Sequence, residues 1–237
     1  FTVTNTTKTA EGVILHHGTL TEGDAINLGD TVSAQVDKTR RQAIMRNHTA
    51  AHLLQAALRE VLGSHVEQAG QLVDSELCRF DFVHFSAMTK EEIKAVEDRV
   101  NEIILEGIDL MIKEMPIEEA KAMGAMALFG EKYGDVVRVV KVGDFSTELC
   151  GGTHAESTGN LGLFKVISES SVAAGVRRIE GTTGLGVLAL LEEKEGMIES
   201  CAKEMKLSNS ADLVKKTTQL QSDFKAAQAT IDRKSVV

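Results

Sequence analysis

The chain has 237 residues, 43% hydrophobic and 26% charged, with a formal net charge of −9. That is an ordinary soluble globular composition, long enough for one large domain or two small ones with a sizeable core. The acidic balance excludes indiscriminate nucleic-acid binding but not a local basic contact. No apolar run reaches bilayer length, there is no signal peptide, and no membrane partner is expected. Three cysteines, odd in number and far apart, exclude a disulfide framework and fit a reducing, cytoplasmic setting. The sequence starts in mid-pattern at Phe1, without an initiator Met, and stops inside a helical pattern, so an excerpt of a longer protein is expected.

Residues 1–38 read as β. Val13 and Leu15, Ile26 and Leu28, then Val32, Ala34 and Val36 alternate with polar neighbours, and Gly12, Gly18, Gly23 and Gly29 punctuate them. Short strands with glycine turns predict a small barrel or the wall of one. His16 and His17 point to opposite faces of such a strand and receive no role. A helix is expected from His48 to about Leu62, capped by Asn47, with a broad apolar stripe at 53, 54, 57, 58, 61 and 62. A strand with a turn follows at 65–72, then an alternating strand at 77–83 whose Cys78 shares the apolar face of Phe80 and Phe82. Thr89-Lys90-Glu91-Glu92 is a capping box that opens a helix with apolar positions 93, 96, 100, 103 and 104.

Beyond Pro116 the reading places a short helix from Ile117 to Phe129, a β-branched strand at 136–142, and strands at 163–168 and 176–181. From about Thr183 the pattern turns helical. Leu213, Thr217, Leu220, Phe224, Ala227 and Ile231 follow a heptad spacing, so a helical hairpin is expected, its seam either self-associating or packed on its own domain. The fold class is therefore α+β, in three parts. Residues 1–42 form a small barrel-like domain, 43–184 a two-layer α/β domain with helices on a mainly antiparallel sheet, and 185–237 the helical hairpin.

Two short stretches carry the chemistry. His48 and His52 are four apart on a helix, so both rings reach one point. Cys150 and His154 bracket Gly151 and Gly152, whose tight turn aims a thiolate and an imidazole together. Either pair alone is a weak signal. Together they hold four of the ten Cys and His residues, and mixed N/S donors suit one zinc ion. Four protein donors would close a structural tetrahedron, whereas three would leave a place for an activated water. The N–H groups of Gly151 and Gly152 are candidate oxyanion donors, and Thr49 and Thr153 offer hydroxyls near the metal or merely bond local backbone.

Four motifs occur in the order in which alanyl-tRNA synthetases carry them. They are Asn47-His48-Thr49-Ala50-Ala51-His52-Leu53-Leu54, Leu77-Cys78-Arg79-Phe80-Asp81-Phe82, Gly143-Asp144-Phe145-Ser146-Thr147-Glu148-Leu149-Cys150-Gly151-Gly152-Thr153-His154 and Gly175-Val176-Arg177-Arg178-Ile179-Glu180. The chain resembles that family throughout: a linker barrel, an editing domain and the start of the C-terminal helical segment. Free-standing alanyl-tRNA editing proteins share the metal motifs and are an alternative, but the C-terminal helical hairpin looks more like the full synthetase. The resemblance implies hydrolysis of the ester joining serine or glycine to the acceptor end of tRNA(Ala), with zinc on His48, His52, Cys150 and His154. The ATP- and Mg2+-dependent aminoacylation domain would lie upstream. Gln68 matches a position tied to editing, where an amide can meet the serine hydroxyl. Arg177 and Arg178, adjacent on a strand, are expected to face opposite sides, at least one toward substrate or RNA phosphate. A pocket for alanine cannot exclude smaller glycine, and an apolar pocket rejects an added hydroxyl only about a hundredfold. The competing reading is a zinc-stapled module that binds tRNA and self-associates without chemistry of its own.

Overall fold

A computed structural model describes residues 1–126 and 134–234. Its chain divides into two compact units, Phe1–Asp37 and Lys38–Val237. In the first, β1 (Thr2–Lys8) and β2 (Ile14–Thr19) pair antiparallel as a hairpin. His16 and His17 each meet a threonine hydroxyl across it, Thr6 and Thr7 respectively. Residues 20–37 form no strand, and Ile26, Leu28, Val32 and Val36 stay exposed. The alternation there has no hydrogen-bonded neighbour to turn it into sheet, and no closed barrel forms among the described residues.

The second unit is α+β. Helix α1 runs Lys38–Leu62, starting well before the predicted cap. Residues 38–46 contain no glycine or proline, and their polar character hides the helical period. Asn47 is consequently buried in mid-helix. Its Nδ2 donates to the Asp74 carbonyl at 3.0 Å, and its Oδ1 accepts from the Thr183 hydroxyl at 2.7 Å. A cap residue by type, it instead ties α1 to the ends of two strands.

A four-stranded antiparallel sheet has the order β3 (Gln68–Val73), β4 (Cys78–Val83), β9 (Val176–Thr183), β8 (Phe164–Ala173). Cys78, Phe80 and Phe82 alternate onto one face and pack with Ile179 and Phe164 against Leu53, Leu54, Ala57 and Leu58 of α1. Helix α2 (Lys90–Glu106) adds Val96, Val100, Ile103 and Ile104 to this core. Its predicted capping box is present: Glu92 N–H donates to the Thr89 hydroxyl, and Thr89 N–H to the Glu92 carboxylate. Gly107 ends the helix in the left-handed region at φ 65°.

A second sheet comprises β5 (Leu110–Pro116), β6 (Val136–Val142) and β7 (Ser146–Leu149), all antiparallel. Helix α3 (Ile117–Ala122) closes over Met115, Val137, Val139 and Leu149. Residues 127–129 of the helix expected there lie outside the described residues. Sequence patterning missed β5, an edge strand whose middle is exposed and polar.

Helices α4 (Leu185–Glu204) and α5 (Leu213–Lys234) follow, joined through Lys206 in the left-handed region and an Asn209-capped turn. The heptad seam remains uncovered, with Leu220, Phe224 and Ile231 all exposed. No helix among the described residues is long and apolar enough to cross a membrane.

Candidate metal centre

The loop after β7 returns to the middle of α1. There His48, His52, Cys150 and His154 converge, with their donor atoms all within 4.8 Å of one another. It is the one such group of three or more donors found among the described residues. Cys150 Sγ lies 3.5 Å from His48 Nε2 and 3.4 Å from His154 Nε2. A zinc tetrahedron with bonds of about 2.3 Å to sulfur and 2.0–2.1 Å to nitrogen separates S and N by roughly 3.6 Å. The spacing therefore suits a single ion held by all four donors.

Other contacts fix the rings. His154 Nδ1 is 3.2 Å from Thr49 Oγ1, which also accepts the Ala155 N–H. His52 Nδ1 is buried without a hydrogen-bond partner and has Glu148 Oε2 at 3.6 Å. His48 is hydrogen-bonded by the main chain of Thr153. For His154 the outward nitrogen thus meets an oxygen, as the partner of a metal-bound imidazole does, whereas Glu148 stands just beyond hydrogen-bond reach of His52. Thr49 serves as such a partner, and of Thr153 it is the main chain that reaches a ring.

Burial decides the charge states. All three imidazoles are held below their usual range, first by desolvation, next in His52 and His154 by the neighbouring rings, and least by the Arg138 charge. His52 falls to about 3. Neutral imidazoles are what a metal requires. The Glu148 carboxyl is pushed up to about 8 by burial, against a hydrogen bond from Ser146. His52 and His154 are buried whereas His48 and Cys150 are half-buried, so the centre opens on the His48–Cys150 side.

The glycines are not equivalent. A Cβ on Gly152 would lie 2.0 Å from His48 Cε1, whereas one on Gly151 would meet nothing within 4 Å. The Gly152 N–H is directed at Cys150 Sγ, 3.5 Å away, a favourable contact for a thiolate.

The remaining predicted residues lie elsewhere on the sheet. Gln68 opens β3 opposite Phe82, hence on the face covered by α1. Arg177 also pairs with Phe82 and is ion-paired to Glu169. Arg178 lies on the opposite face, donating to both Asp81 oxygens at 2.7 and 2.8 Å. No hydrogen bond joins any of these three to the four donors among the described residues.

Two residues escaped the sequence reading. Arg138, in β6, donates from Nη1 to the carbonyls of Cys150 and Gly152, each at 2.7 Å. Its signal was an arginine set among the five valines of β6. Glu148 lay within a quoted motif, but its burial beside His52 depends on docking of the two sheets.

The family model described as the threonyl and alanyl tRNA synthetase second additional domain matches residues 137–180. The alanine–tRNA ligase of Acetivibrio thermocellus is 57% identical over 226 residues, covering 95% of this chain and 26% of the relative. That of Staphylococcus epidermidis is 51% identical over 233 residues, 98% of this chain and 26% of the relative. That of Bacillus pumilus is 52% identical over 221 residues, 93% and 25%. The chain spans about a quarter of the length of the curated relatives it matches.

Proposed function

From the premise that this chain corresponds to a segment of alanine–tRNA ligases, we propose that it hydrolyses the aminoacyl ester of Ser-tRNA(Ala) and Gly-tRNA(Ala). The observation that supports this most is the convergence of three neutral imidazoles and a thiolate at an opening beside a glycine turn. We assign one zinc ion to His48, His52, Cys150 and His154, the mixed N/S set that this metal prefers. When bound, zinc supplies order to the pocket and, with one donor displaced, Lewis acidity toward the substrate.

The chain's own residues carry the rest of the reading. The glycine turn supplies N–H donors for charge developing on the ester carbonyl. The Gln68 amide is assigned to the serine hydroxyl, the feature that distinguishes serine from alanine. Arg177 and Arg178 are each held by a carboxylate, so either meets RNA only by exchanging that partner. Arg41 is exposed, seven residues and therefore two turns before His48, on the same face of α1. With Lys38 one turn further, it suits the phosphates of an approaching 3′ strand. The ligase activity named in the relatives, with its ATP and Mg2+, is assigned to parts of the enzyme outside this chain, working in the cytoplasm.

Incubating the 237-residue chain with Ser-tRNA(Ala) tests the reading. Ester loss is expected, and Cys150→Ala is expected to abolish both the metal and the hydrolysis. A Cys150→Ala chain that clears Ser-tRNA(Ala) at the normal rate refutes the assignment. A second reading, a metal-stapled module that binds tRNA and self-associates, is favoured by the complete four-donor set and the exposed seam of α5. Binding without ester loss would select it.

A further inference from the structure

We infer that Gln55 and Gln71 are specificity-determining residues, whose amides form the subsite that receives the seryl hydroxyl beside the metal centre. The inference rests on the hydrolytic reading above and deepens it.

Helix α1 buries four polar side chains. Asn47 and Thr49 are hydrogen-bonded, and His52 belongs to the donor set. Gln55 has neither role, although it is only 7% exposed. Its amide makes no hydrogen bond among the described residues. A buried amide without a partner costs stability, which a hydrogen-bonding ligand offsets.

Its position indicates which ligand. His48, His52, Gln55 and Arg59 are spaced four, three and four, and so form one stripe of the helix. The metal centre occupies one end of that stripe. At the other end Arg59 Nη1 donates to the Val66 carbonyl, 2.7 Å away, just before β3. Gln55 therefore stands between the donors and β3, a rise of about 4.5 Å beyond His52. Helical side chains lean over the preceding turn, which carries the amide toward His52.

Strand β3 lies against α1 and adds a second amide. Gln71 pairs with Phe80 and Gln68 with Phe82, two rings packed beneath α1. A bulge between Gln68 and Gly70 puts both glutamines on that face, although they are three apart. Nε2 of Gln71 is buried without a partner. A hydroxyl offers one donor and two acceptor sites, enough for the amides of Gln55, Gln71 and Gln68 together. Glycine and alanine bring nothing to pair and leave those amides unsatisfied.

The test measures kcat/KM for Ser-tRNA(Ala) and Gly-tRNA(Ala) with the 237-residue chain as wild type, Gln55→Met and Gln71→Met. Cobalt(II) absorption reports the donor set. Methionine keeps the length of the side chain and removes its amide. In each variant the seryl-over-glycyl ratio is expected to fall roughly three- to tenfold, the worth of one neutral hydrogen bond, with the cobalt spectrum unchanged. Tm of Gln55→Met is expected to rise by about 2–4 °C, because an unpaired amide gives way to an apolar chain. A glutamine with a purely structural role would instead lower Tm on substitution and slow both esters alike. That result, failure of Gln55→Met to fold, a lost cobalt spectrum or a wild-type ratio overturns the inference for the residue concerned. Gln71→Met, on a separate element, is decided independently. If wild type leaves both esters intact, the hydrolytic reading itself fails; if wild type clears them, the ratios alone judge the subsite.

Discussion

Gly152→Ala tests the centre with a single methyl group. The added Cβ would stand 2.0 Å from His48 Cε1 and 2.5 Å from Nδ1. Ordinary contact begins near 3.4 Å, so the ring would have to retreat by about 1.4 Å, several times the ±0.2 Å or so that a metal bond tolerates. The methyl group therefore removes one donor of four. A structural zinc set contributes about 10–16 kcal/mol, so one donor of four is worth roughly 2.5–4 kcal/mol. At 1.4 kcal/mol per factor of ten, zinc affinity should drop by about 10²–10³-fold. Competition against a chromophoric chelator measures this directly. Gly151→Ala is the control, because its Cβ meets nothing within 4 Å, and it should bind zinc as wild type does. Equal affinities for the two alanine variants would refute the assignment of His48 as a donor.

Three further outcomes follow from the same packing. Glu148→Gln keeps the shape but sets an amide beside His52 Nδ1; zinc affinity, measured by the same competition, should fall about 10–100-fold. Thiol labelling should separate the three cysteines: exposed Cys201 reacts in the native chain and Cys150 only after chelation. Cys78, buried with its thiol pushed up to about 12, reacts only on unfolding, and its early labelling would contradict the core described here. The Arg178 guanidinium holds the Asp81 carboxyl below its usual range, mainly through their hydrogen bonds. A lowered folded-state value means stability that is full above the ordinary carboxylate range and lost as pH falls below that range through the lowered value. Arg178→Met should thus destabilise at neutral pH and converge with wild type in acid, as urea melts across pH 3–7 can show.

The parts of the molecule legible in sequence were those specified by local spacing. The i, i+4 histidines, the Thr89–Glu92 box and the valines of β6 each contain their own period, and the structure forms the elements they predict. Asn47 misled because its residue type suits a cap, whereas its partners, Asp74 and Thr183, come from strands distant in sequence. Arg138 and Glu148 stayed silent for a related reason. An arginine that holds carbonyls and a carboxyl that backs a histidine are defined by docking, not by neighbours in the chain. The alternation between Ile26 and Val36 shows the converse, a strand-like pattern without a strand.

His48 and Cys150 stand 102 residues apart, and β3, β4 and the whole of the second sheet are threaded between them. A growing polypeptide emerging from the ribosome therefore presents the helical half of the centre long before the other half exists. Ion capture at full strength has to wait until the second sheet has docked, since closing so long a loop in advance carries an entropic cost without contacts to offset it. An ion held by this centre would therefore report that the second sheet has docked on α1, and a chain truncated before residue 150 should leave the ribosome without it.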